Sequence, residues 1–214
     1  MWFPTEPALV GVLFVAATLP IAMRPNEYAP YSFLEPTFVS LALLCIVRDR
    51  RLWLALVVAM AAVNRETGVF LVLLYAVARP LNKQRLITTL AYAAIWLAVF
   101  IAVRLYAGDA GRYWTVDKVF RSNLSQLRLT VFNVAALLGV FWWFAAAGFR
   151  RAPPFVQRVA SVIPAYVAVV AVWGIWWEVR LLLPLMPLLL PLALSFLFTS
   201  ASGARDDPSV ALVR

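Results

Sequence analysis

Between residues 7 and 199 the chain is a succession of apolar runs, at about 7–23, 32–47, 52–63, 68–78, 87–105, 130–148, 159–176 and 181–199, parted by short polar segments. Lipid offers backbone groups no hydrogen-bond partner, so a chain of this kind must pair them within helices or around a closed barrel. No period-2 alternation marks a barrel, so the runs read as helices. Segments of about 20 residues cross a hydrocarbon layer of about 30 Å, and the length leaves room for about seven or eight of them. The expected fold is therefore all-α: a polytopic transmembrane bundle forming one domain over 1–199, with a polar, disordered tail over 200–214. With 64% hydrophobic and 14% charged residues there is no material for a separate soluble domain.

Charge then limits function. The net charge of +9 is distributed in short clusters between apolar runs, where positive-inside loops and lipid phosphates explain it better than nucleic acid does. Histidine is absent and the single Cys45 lies inside an apolar run, so zinc sites, Ser-His triads, disulfides and histidine-ligated heme have no basis. No metal and no cofactor is expected, and acid-base chemistry must rest on carboxylates. All basic residues except Lys83 and Lys118 are arginine, a usage that fits a GC-rich bacterial genome. The segment Met1–Glu6 lacks the basic start of a secretory signal, so 7–23 is expected to be a retained helix.

Basic loops set the expected orientation. Arg48, Arg50 and Arg51, then Arg79, Lys83 and Arg85, then Arg150, Arg151 and Arg158 fall on one side if 52–63 and 68–78 form a hairpin; a single long helix would split them across the membrane. That side is expected to be cytoplasmic, with both termini, in a bacterial inner membrane. Each hairpin leg is about 13 residues, or roughly 20 Å, too short to cross, so the tip Asn64-Arg65-Glu66-Thr67 should lie below the outer surface. Within 106–129, Val116, Val119, Phe120, Leu124 and Leu127 recur at helical spacing opposite Asp117, Lys118, Arg121, Ser125 and Arg128. With Thr115 as N-cap, this predicts an amphipathic helix on the membrane surface over 115–128.

Four groups of residues are candidates for chemistry. At the tip, Asn64, Arg65 and Glu66 form a charged set that can bind an anion, or serve only as a helix-hairpin turn with Thr67 capping the next helix. Glu178 and Arg180 precede Pro184, Pro187 and Pro191, which remove helix hydrogen bonds and free carbonyls; Arg180 can equally reach toward outer headgroups beside Trp173, Trp176 and Trp177. Glu27 and Glu35 flank the first outer loop and are candidate general bases, or solvated loop carboxylates. Arg112, Lys118, Arg121 and Arg128 can hold a lipid phosphate or simply contact headgroups. The tip and the start of the last helix are expected to be neighbours, with Arg65 or Glu66 paired to Glu178 or Arg180.

Two stretches resemble bacterial membrane proteins related to the GT-C glycosyltransferase superfamily. One is Arg48-Asp49-Arg50-Arg51, an apolar leg, Asn64-Arg65-Glu66-Thr67 and a second leg; the other is Glu178-Val179-Arg180-Leu181-Leu182-Leu183-Pro184-Leu185-Met186-Pro187. The resemblance implies transfer of a sugar from a polyprenyl-phosphate donor on the outer face, with Glu27, Glu35 or Glu66 as the catalytic carboxylate. Asn64, Arg65, Arg112, Arg121, Glu178 and Arg180 would bind substrate. That family carries an acidic motif in a sizeable first outer loop, whereas here the loop spans only 24–31 and Glu27 is its sole carboxylate. Either Glu27 or Glu35 takes that place, or the chain is a non-enzymatic membrane subunit or small transporter, whose partners would be membrane lipids and other membrane subunits.

Overall fold

The computed structural model describes residues 5–23, 30–108 and 116–202, and every regular element among them is helical. In chain order these are α1 (Thr5–Met23), a 3₁₀ turn (Pro30–Phe33), α2 (Leu34–Val47), α3 (Arg51–Asn64), a 3₁₀ turn (Glu66–Gly68) and α4 (Val69–Val77). There follow α5 (Lys83–Ala107), α6 (Val116–Ser125), α7 (Leu127–Leu138), α8 (Phe141–Gly148), a 3₁₀ turn (Phe149–Arg151), α9 (Pro154–Ala160) and α10 (Ile163–Trp173). A longer 3₁₀ helix (Val179–Leu185) leads into α11 (Met186–Ser202), so the last helix continues beyond residue 199, and the remaining tail lies outside the described residues.

Three segments are long and apolar enough to cross a membrane: Lys83–Ala107, Pro154–Trp173 and Val179–Phe198. A fourth exists if α7 and the segment Phe141–Arg151 count as one span bent by 61°. The expected seven or eight crossings are not supported: Leu34–Val47, Arg51–Asn64 and Glu66–Val77 are only 10–17 residues long, and of α1 only the stretch Thr5–Thr18 counts, in the same class. Their composition suits lipid, but their length does not. The bend has a local cause: Gly139 takes φ +45°, which interrupts the run 130–148.

The expected hairpin forms. Tyr92 of α5 donates its hydroxyl to the Arg51 carbonyl at the start of α3 (3.1 Å), and its ring meets Tyr75, near the end of α4, edge-on at 4.9 Å. The start of α3 therefore lies beside the end of α4, so the two run antiparallel. At the tip, a Cβ on Gly68 would come within 2.8 Å of the Ala61 carbonyl carbon, a distance that permits only glycine in this reversal. The loops 48–51 and 79–85 consequently meet at one end of the bundle, where Asp49, Arg51, Arg79 and Arg85 line a common cleft.

The last segment is the centre of the core. Its 18-residue window is 56% buried, against 6% for α5, which lies on the periphery and exposes Leu86, Ile87, Leu90 and Leu97. α8 packs against α11 at backbone distance: a Cβ on Gly148 would lie 1.9 Å from the Leu192 carbonyl oxygen. The surface helix is shorter than expected, Val116–Ser125 rather than 115–128, with a turn at Gln126 before α7. It is not simply laid on lipid. Val119 and Asn123 are buried in the protein, while Val116, Phe120 and Leu124 remain exposed. Thr115 lies outside the described residues.

Candidate functional site

The hairpin tip is built by a break in the backbone. α3 ends at Asn64, Arg65 is fully extended (φ −160°, ψ 156°), and Glu66–Gly68 form one 3₁₀ turn closed by the Gly68 amide donating to the Arg65 carbonyl (3.0 Å). This turn directs Arg65 and Thr67 toward the first turn of α2, where Glu35 is only 6% exposed. Arg65 Nη1 donates to Glu35 Oε1 at 3.3 Å, and Thr67 Oγ1 donates to the same oxygen at 2.8 Å. The other oxygen, Oε2, is buried without a hydrogen-bond partner among the described residues, as is Asn64 Nδ2. Thr67 thus holds the carboxylate rather than capping α4, whose N-cap, Gly68, has no side-chain bond.

Glu35, Asn64, Arg65 and Thr67 line a narrow cavity together with Tyr166 of α10 and Pro184. Its volume is about 30 Å³, room for one or two water molecules but not for a sugar ring. Pro184 sits in the 3₁₀ helix Val179–Leu185, in keeping with the loosening expected of this proline-rich segment. One carbonyl there, that of Leu181, accepts the Tyr166 hydroxyl at 2.8 Å. The tip and the start of the last segment are therefore neighbours across one cavity.

Their charges nevertheless have other partners than expected. Arg65 pairs with Glu35, and Glu66 pairs with Arg104 at the end of α5, where both side chains are more than half exposed. Arg180 turns inward instead of reaching for headgroups: it is 8% exposed, and its Nε and Nη2 donate to Glu178 Oε2 at 3.0 and 2.7 Å. Its Nη1 is buried without a partner. Arg121 forms an exposed ion pair with Asp117 one turn away on α6. Glu27 and Arg112 lie outside the described residues. Of the sequence candidates, the structure brings Glu35, Asn64 and Arg65 to one cavity; Glu66 and Arg121 are held elsewhere by their own partners.

Two positioning residues escaped the sequence reading. Asn123 is fully buried; its Nδ2 donates to the Gly174 carbonyl and its Oδ1 accepts the Trp176 amide, both at 2.9 Å, which fixes the segment leading to Glu178. Its spacing of one turn from Val119 was the available signal. Asn133 does the same for Trp177, donating to its carbonyl at 2.9 Å. Tyr166 had a weaker signal, as one hydroxyl in the run 159–176. No protein-family model, curated protein or solved structure matches the chain.

Proposed function

We propose that the chain is a multi-pass protein of a bacterial inner membrane that engages a polyprenyl-phosphate-linked sugar, as a GT-C-like glycosyltransferase or a relative of one. The observation that carries this reading is Glu35: a buried carboxylate with one oxygen held by Arg65 and Thr67 and the other without a hydrogen-bond partner among the described residues, on the wall of a cavity. A carboxylate fixed by one oxygen can accept a proton on the other. In the transfer step the acceptor hydroxyl oxygen bonds the anomeric carbon, the bond from that carbon to the phosphate oxygen breaks, and the hydroxyl proton passes through a water molecule in the cavity to Glu35 Oε2. Arg65, with Asn64 beside it, offers the guanidinium fork that a phosphate takes.

In this reading the basic end of the bundle is cytoplasmic and the hairpin tip faces outward. Lys83–Ala107, the bent α7–α8 pair, Pro154–Trp173 and Val179–Phe198 cross, and the shorter helices pack beside them. α3 and α4 return to the end they left, so the hairpin does not alter which side the later loops occupy.

The experiment uses undecaprenyl phosphate as probe and the full chain in a maltoside detergent. Wild type should retain the lipid above the level of phosphatidylglycerol, Arg65→Lys should weaken retention at least tenfold with unchanged folding, and Glu35→Gln should retain lipid while losing transfer. Retention no greater than that of phosphatidylglycerol would overturn the proposal.

A second reading, a membrane subunit or small transporter whose charges are structural, is favoured by one observation. Glu35, Glu66 and Glu178 each have an arginine of their own, and the cavity beside Glu35 holds only water-sized molecules. Under it, Arg65→Lys changes stability and leaves lipid retention at the wild-type level.

A further inference from the structure

At the opposite end of the bundle, the turn between α2 and α3 and the connection between α4 and α5 enclose a polar cleft of about 340 Å³, within the range of small-molecule sites. Arg85 stands in its wall. It is 8% exposed, its Nη2 donates to the Tyr75 carbonyl, and its guanidinium carbon lies 4.6 Å from the centroid of the Tyr75 ring. That grip fixes the group, yet Nε is buried without a hydrogen-bond partner among the described residues. The charge around it is predominantly positive: Arg51 and Arg79 also line the cleft, and Arg79, Asp49 and Arg158 all lie within electrostatic reach of Arg85. The one carboxylate lining it is Asp49, held at φ +50° in the α2–α3 turn and already paired with Arg51 at 3.5 Å.

Asp49 is shared between Arg51 and Arg85, so one carboxylate faces a cluster of arginines, and a buried guanidinium among them is costly unless a further anion joins it. Positive-inside topology accounts for arginines in loops, but it does not call for one to be buried at the wall of a concavity. Asn82, Gln84 and Thr88 add neutral hydrogen-bonding groups to the same lining. Guanidinium forks with neutral donors beside them are the set that recognises phosphate oxygens.

We infer that this cleft is a binding site for a phosphate group, carried by an anionic phospholipid headgroup or by a soluble phosphate. It is separate from the cavity at Glu35 and does not depend on the function proposed for that cavity.

The test uses the full chain in a phosphate-free maltoside detergent. One arm titrates inorganic phosphate by calorimetry, and the other measures dioctanoyl phosphatidylglycerol retained in native mass spectra. Arg85→Gln alters a buried group and can impair folding, so the deciding variant is Arg51→Gln/Arg79→Gln, with Arg150→Gln, exposed after α8 and outside the cleft lining, as the control for general charge loss. Binding in either arm, weakened about tenfold or more by the double variant and unchanged by Arg150→Gln, supports the site and identifies the source of the phosphate. Binding in neither arm, or equal weakening by the control, overturns it.

Discussion

Replacing Arg65 with alanine isolates what the tip charge contributes to the fold. Glu35 is 6% exposed and would keep only the Thr67 hydroxyl on Oε1, with Oε2 still unpartnered. Removing one partner of a fully buried ion pair costs roughly 3–5 kcal/mol. Here the arginine side chain is 21% exposed and the contact is 3.3 Å long, so the loss falls at or below the bottom of that range, about 2–3 kcal/mol. Glu35→Gln keeps the shape and removes the charge, leaving a partly solvated arginine, and should cost only about 1 kcal/mol. The double variant no longer buries an unpaired carboxylate, so it should be more stable than Arg65→Ala alone, with a coupling of about 1–2 kcal/mol. Reversible unfolding by dodecyl sulfate in mixed micelles, followed by far-UV circular dichroism, measures all four proteins. If Arg65→Ala costs less than about 0.5 kcal/mol, or the two losses simply add, the Glu35–Arg65 contact does not hold the tip, and the argument from buried charge fails.

Gly148→Ala should reduce folded yield sharply and cost at least about 3 kcal/mol, because its Cβ would lie only 1.9 Å from the Leu192 carbonyl oxygen; wild-type yield in detergent would show that α8 and α11 are not in backbone contact. Asn123→Ala leaves the Gly174 carbonyl and Trp176 amide without their partner, so a loss of about 2–3 kcal/mol should accompany faster amide exchange over 174–177, read by mass spectrometry; unchanged exchange there would sink the positioning role. On a Cys45→Ser background, cysteines placed at 50 and 83 should label from the same side of sealed vesicles, and labelling from opposite sides would contradict the hairpin.

The parts of this fold that were legible in the sequence are those set by local pattern. Helical class follows from apolar runs that have no alternative in lipid, and the reversal at 64–68 follows from basic loops that must share a side. The number of crossings did not follow, because composition measures affinity for hydrocarbon, whereas crossing needs length. α2, α3 and α4 satisfy the first and not the second. Gly139 splits a run that reads as continuous, since hydropathy is blind to a single positive φ. The surface helix shows the same limit on one face: Asn123 counts as polar in any stripe, yet it is buried because two backbone groups 51 and 53 residues away bind it.

Site geometry depends on this long-range pairing even more strongly. The cost of intramembrane charge is readable from sequence, and it correctly marks Arg65 and Arg180 as residues that need partners, while Glu35 reads there only as a candidate base or a solvated loop carboxylate. Which partner is a matter of how helices are arranged. Arg180 finds Glu178 two residues away, a local solution that relieves the tip of any duty toward it, while Arg65 reaches back 30 residues to Glu35 across the bundle. Because Arg65 is committed to Glu35 and not to Glu178, a ligand phosphate at the tip must share a guanidinium that already neutralises a buried carboxylate. An anion drawing on Arg65 therefore competes with Glu35 Oε1 for the same guanidinium. The group that stabilises the resting fold is thus also the one the proposed phosphate would take, and Arg65→Lys, which keeps the charge but loses the fork, is the variant that separates those two roles.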